Sequence, residues 1–342
     1  RFRHLGVPEG LSQASALGIA QDAQGFVWIA TQDGLDRYDG YGFRIYQHDR
    51  GDTHSLVANN LRRLLLDRQG RLWAGATNGG LSRYDARLDR FDSFRPDPSR
   101  PGALGSGSVG ALLQDRGGRV WVAARGSGLQ WFDEAAGQFR DSACRGEALE
   151  RLLALAELDD GRLLLGGEGG LWLCDSASGG LQEWRGAHGE RLAVHGLARE
   201  PAGGVWVASF GLGVLHLDAQ GKELDRYTAG TDPAAPDTDF NDVLVDHGGI
   251  VWAASQSAGL LRLDPRSRQL EVFRHDPELP NSLAANRVYA LFEDRDGLIW
   301  AGTWNNGASV FDPRAGGFVS VRPGRVPPAL ALAAVLAVLA DP

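Results

Sequence analysis

Asp22-Ala23-Gln24-Gly25-Phe26-Val27-Trp28 decides the fold, because the chain repeats its pattern. The same Asp-x-x-Gly-x-x-Trp phrase returns at Asp67…Gly70…Trp73, Asp115…Gly118…Trp121, Asp246…Gly249…Trp252 and Asp294…Gly297…Trp300, and with an acidic exchange at Glu200…Gly203…Trp206. A degenerate copy keeps Gly161 and puts Leu164 where Trp belongs. Counted on these anchors, the copies lie 45, 48, 43, 42, 46 and 48 residues apart. A period of about 40–50 residues marks a repeat architecture, and four short strands per unit mark a propeller blade. Seven units predict an all-β fold: a seven-bladed β-propeller of four-stranded antiparallel blades.

Each unit reads outward from that phrase. Before it, apolar residues alternate, as in residues 288–293, which is the signature of a half-buried strand a. The glycine suits a hairpin position with positive φ, and the preceding Asp suits bonding to its own turn. Strand b carries the Trp, which is expected to fill the space between blades. Strand c ends in an Asp in all seven units (Asp39, Asp85, Asp133, Asp175, Asp218, Asp264 and Asp312). A sevenfold set spreads around a ring, so these read as turn initiators between strands c and d, not as paired catalytic acids. Strand d follows, as in residues 43–46, 91–94 and 272–274, and then a polar loop leads to the next blade.

Strand direction sorts the connections into two faces. Turns b–c and loops d–a share one face, and the Asp-x-x-Gly turns lie on the other. Residues 1–322 are expected to form the propeller, and residues 323–342 a linker and the first strand of a further repeat, on the likeness of residues 335–342 to residues 288–295; an Ala/Leu-rich helical or disordered tail is the competing reading. Two segments compete for the outer edge of blade 7: Phe2-Arg3-His4-Leu5 and residues 317–321.

Composition narrows the partners. The 342 residues carry a net charge of −8, which argues against nucleic acid. The absence of Met leads us to expect a processed or excised region. The longest apolar run, residues 329–340, is too short for a bilayer span of about 20 residues. Cys144 and Cys174 are the two cysteines. The repeat alignment places them toward opposite faces, which predicts no bridge and makes Cys174 a buried apolar thiol.

Residues 10–40 closely resemble the two-component-regulator propeller repeat, and residues 281–303 and 54–84 match it nearly as well. Asn281-Ser282-Leu283, then Asn286, the Asp-Gly-Trp phrase and Ala301-Gly302-Thr303 are the specific elements. The resemblance covers residues 1–322 and is weakest in units four and five. It implies the extracytoplasmic, periplasmic part of a membrane-anchored bacterial sensor with two propellers. A β-sandwich, a membrane helix and a histidine kinase or diguanylate cyclase output then follow. The implied partners are a small polar ligand such as a carbohydrate, the second propeller of the same chain, and a second copy of the receptor in a homodimer.

A ligand face should vary on a repeated frame, and the b–c turns do so: Gln32 and Asp33, Thr77 and Asn78, Arg125 and Ser127, Glu168, Phe210, Gln256, and Trp304-Asn305-Asn306. Trp304 stands outside the Trp repeat beside two amides, a combination suited to stacking and hydrogen bonding with a sugar. Ordinary loop packing is its competing reading. Arg125 is the candidate for an anionic group, and His195 is placed to line the channel. The eight histidines show no metal-ligand spacing, and there is no nucleophile elbow or phosphate loop. No metal, cofactor or catalytic residue is therefore assigned. The alternatives are a propeller enzyme resembling streptogramin lyase or sialidase, whose acid–base set or arginine triad cannot be assembled from spacing, and a protein-interaction scaffold.

Overall fold

A computed structural model describes residues 1–314, except residue 202 and residues 230–234. They form seven four-stranded antiparallel sheets. Each innermost strand a touches strand a of the next blade, and the seventh touches the first, so the ring closes around an axis. Blade 7 is completed from the other end of the chain. Phe2–Leu5 pairs with Ala308–Phe311, and Phe2 packs between Phe273 and Phe311 at ring distances of 5.6 and 5.1 Å. The competing segment at 317–321 and the repeat-like residues 335–342 lie outside the described residues.

The repeated phrase is a hydrogen-bonded unit. Asp22 Oδ1 accepts the amides of Gln24 and Phe26, and Oδ2 accepts the indole N–H of Trp28 at 2.7 Å. The indole bond recurs from Trp73 to Asp67, Trp121 to Asp115, Trp252 to Asp246 and Trp300 to Asp294, at 2.7–2.8 Å. In blade 5 the longer Glu200 accepts from Trp206 at 3.3 Å and also meets His216 at 3.0 Å. The seven turn glycines have φ between 75° and 95°, a region that L side chains rarely enter. The six indoles are at most 2 % exposed and pack against the following blade: Trp28 on Tyr84, Trp73 on Phe132, Trp252 on Phe311. The strand c Asp residues bond their turns as expected, Asp39 accepting the amides of Tyr41 and Gly42 and Asp218 those of Gln220 and Lys222.

Blade 4 departs as a unit. Leu158 takes the Asp position and Leu164 the Trp position, so donor and acceptor are lost together and neither is left buried without a partner. Indole bulk returns on strand d, where buried Trp184 joins the Leu164 cluster between blades 4 and 5. The same blade carries a disulfide, Cys144–Cys174, with Cα atoms 6.1 Å apart. This corrects the sequence expectation of two unbridged cysteines. The connection from blade 3 does not stay on the loop face but packs on the c–d hairpin of blade 4. A Cβ on Gly179 would sit 3.0 Å from the Ala143 carbonyl oxygen. The descent brings Cys144 to the far end of strand c.

Candidate functional site

The face assignment holds in the hydrogen bonds. The amides of Thr77, Arg125, Glu168, Gln256 and Trp304, all in b–c turns, donate to the carbonyls of Asn60, Ser108, Arg151, Asp239 and Arg287 at the ends of the d–a loops. These turn residues stand four positions after the repeat Trp (or Leu164), as do Gln32 and Phe210, and form a ring around the channel mouth.

A second ring lies inside it. In six blades the pairing of strands a and b skips one residue at the start of strand a: Arg62, Gly110, Leu153, His195, Asn241 and Tyr289. A bulge frees one residue from the ladder and re-aims its side chain. All six stand eleven positions before the repeat anchor, where blade 1 has Leu17. One step along, strand a carries Gly or Ala except at Arg63 and Asp242. Small residues suit the close approach of inner strands. A Cβ on Gly18 would lie 2.8 Å from the Arg62 carbonyl oxygen.

Blades 5 to 7 pair the two rings. His195 stacks on Phe210 with centroids 3.7 Å apart and planes 3° from parallel. Asn241 Nδ2 donates to Gln256 Oε1 at 2.8 Å and to the Val288 carbonyl at 2.7 Å. Tyr289 meets Trp304 at 5.4 Å, and the Arg287 guanidinium lies 4.7 Å from the Trp304 ring. Arg62 donates to the Tyr289 hydroxyl and lies 4.9 Å from that ring. Below, Arg63 bonds the carbonyls of Gly110 and Leu153 at 2.7 and 3.1 Å. Burial holds the Arg63 guanidinium down at about 10 and pushes Asp242 up to about 6, against the Leu291 amide and the charge of Arg63. Burial, then Arg62 and Arg63, hold His195 near 4, so it is neutral at neutral pH.

The remaining sequence candidates divide. Arg125 pairs with Glu168 at 2.9 Å, and Arg151 pairs with the other Glu168 oxygen at the same distance, so Arg125 already holds an anion. Asp33 accepts from Gln47 and Asn59 and fastens its own loop. Gln32 meets Gln13 at 3.5 Å, and Thr77 bonds the Asn60 carbonyl. Asn78 is exposed beside Gly107. Asn305 and Asn306 line a separate cleft of about 370 Å³ beside the ring closure, with His4, Pro8 and His275, and Asn306 donates to the Ala284 carbonyl. Sequence reading missed Arg62, Asn241 and Tyr289. Their common register, eleven residues before the anchor, was the available signal. Among the described residues no group of three or more His, Cys, Asp or Glu is placed to hold a metal ion.

Fold and site together define a seven-bladed propeller whose channel mouth varies on a constant frame. One of its repeats, residues 282–305, matches the family described as two component regulator propeller. Histidine kinase P4 of Formosa agariphila is 40% identical over 55 residues, which are 16% of this chain and 4% of that protein. The extracellular domain of the hybrid two component system BT3049 from B. thetaiotaomicron superposes with a TM-score of 0.79 at 24% identity, over 90% of this chain and 41% of that one. This chain therefore spans well under half the length of these relatives. Virginiamycin B lyase from Staphylococcus aureus shares the fold at a TM-score of 0.68 and 14% identity, over 91% of this chain and 98% of that one.

Proposed function

We propose that this chain is a non-catalytic sensory propeller in the extracytoplasmic part of a membrane-anchored bacterial receptor. It binds a small polar ligand at the loop-face mouth of its channel. The receptor's histidine kinase or diguanylate cyclase output lies in another part of the parent protein. The observation that carries this reading is the pairing of the two rings in blades 5 to 7, where an aromatic, an amide and a second aromatic pair stand side by side on a rigid frame. Aromatic faces with a few fixed polar groups suit a sugar-like ligand. The Cys144–Cys174 bridge supports an oxidising compartment such as the periplasm. The likeness to extracellular domains of two-component systems points the same way. Ligand binding reaches the output only through different affinities for two arrangements of this propeller, its partner propeller and the second receptor copy.

The test is a thermal-shift and calorimetry screen of the propeller against neutral and acidic oligosaccharides, with Trp304→Ala and Phe210→Ala alongside. A hit that stabilises the wild type, is lost in both variants and is recovered unchanged supports the reading. Chemical conversion of the ligand would replace it with the lyase-like reading. Failure of every compound to stabilise a folded wild type would favour the scaffold.

A further inference from the structure

The channel mouth is chemically one-sided, which deepens the proposed function and rests on it. Asn241 must turn its Nδ2 toward the Val288 carbonyl, because a backbone carbonyl only accepts. That same amide group donates to Gln256 Oε1, which turns the Gln256 NH2 the other way, where it meets no acceptor among the described residues. The Arg62 guanidinium has one hydrogen-bond partner among the described residues, the Tyr289 hydroxyl, and its Nε is buried without any. The residue as a whole is half-buried, so an incoming acceptor meets the other N–H groups of the guanidinium and offsets the cost of holding that Nε without a partner.

The charges around the mouth do not cancel this bias. Glu168 is held between Arg125 and Arg151. Asp239 keeps its charge, since the Gly211 amide that it accepts at 2.7 Å is neutral, but the guanidinium groups of Arg62, Arg63 and Arg287 outnumber it. Asp242 lies one position deeper, level with Arg63, and accepts the Leu291 amide. Arg62 and Arg287 remain, each against an aromatic ring and neither ion-paired, in a chain whose net charge is −8.

We infer that the mouth takes an anionic ring compound whose carboxylate is received by the Arg62 guanidinium, with the Gln256 NH2 as a further donor at the same mouth, a sugar acid being the class that also matches the aromatic pairs of blades 5 and 7. A guanidinium suits a carboxylate because two parallel N–H groups meet its two oxygens.

The experiment titrates the propeller with an oligogalacturonide and with the fully methyl-esterified oligomer of the same length, which keeps the rings and removes the charge. Benzoate, a flat acid without hydroxyls, is titrated in parallel. The acid is expected to bind at least about tenfold more tightly than the ester, the scale of a charge-assisted hydrogen bond. Arg62→Gln should bring the two together, and Arg62→Lys should keep part of the preference. If Arg62→Gln does not fold, Gln256→Glu serves instead, since it replaces a donor by a negative charge and should weaken the acid alone. Arg62-dependent binding of benzoate would support the carboxylate and move the class from sugar to aromatic acid. Equal affinity for acid and ester, or a preference unchanged in the variants, overturns the inference. Should neutral sugars bind through Trp304 while both acids fail, the sensory reading stands and this one falls. Should no ring compound bind, both fall.

Discussion

Trp28 and Asp22 are joined by a 2.7 Å hydrogen bond inside one hairpin, from indole nitrogen to carboxylate oxygen. The bond explains why the phrase conserves its spacing within this chain: six residues across a tight turn bring the two side chains together. Trp28→Phe removes the donor but leaves the Asp22 carboxylate buried, at an expected cost of about 1–3 kcal/mol. Blade 4 shows that the pair can be exchanged together. Asp22→Leu with Trp28→Leu should therefore cost about 1 kcal/mol less than the sum of the single changes. Chemical denaturation of all four proteins measures this, and strict additivity would sink the idea.

The bridge between Cys144 and Cys174 closes a loop of 30 residues. Closing a loop of that length restrains the unfolded chain by about 3–4 kcal/mol. Cys144→Ser with Cys174→Ser should lower the melting temperature, and a reductant should do the same to the wild type only. A melting curve indifferent to both changes would show that blade 4 stands without its staple.

His195 contributes to pH dependence with a defined sign. Its folded value, near 4, lies below the ordinary 6.5, so the unfolded chain binds more protons between those limits. The stability tied to neutral His195 is thus present above about pH 6.5 and is lost as the pH falls toward 4. Asp36 and Asp242, both pushed up to about 6 by burial, act the other way, and a variant comparison isolates the histidine. The melting temperature of His195→Gln should fall less than that of the wild type between pH 7 and pH 5. A parallel decline in the two proteins would contradict the assignment.

Ring closure rests on Phe2, which is 6 % exposed between two aromatic rings. Phe2→Ala should cost about 3–5 kcal/mol, as for other buried aromatics. Limited proteolysis should then cut first around blade 7. Unchanged proteolysis would mean that the closing strand is dispensable.

Much of this was legible from the repeat. Anchor spacing and period-two alternation located the blades, and strand direction sorted the loops into faces. Those inferences need only local rules. The Trp–Asp bond was missed because a turn Asp has a sufficient backbone role of its own. The disulfide was missed because one connection leaves the course that the other blades suggest, and no local pattern announces such a departure. Arg125 was singled out as a free cation because its partner Glu168 comes from the next blade, 43 residues away. Of the inner ring only His195 was read as channel-lining, because a bulge breaks the alternation by which such residues are recognised.

That bulge separates two kinds of inheritance. A residue released from the ladder is not read by its strand partner, so Arg62, Gly110, His195 and Tyr289 differ in size and charge while the flanking pairs stay in register. The mouth thus works as a dial whose positions are lettered free of the ladder and answer only to their neighbours in the two rings. New specificity can be reached by exchanges among those few neighbours, without the compensating strand pairs that the blade interior demands.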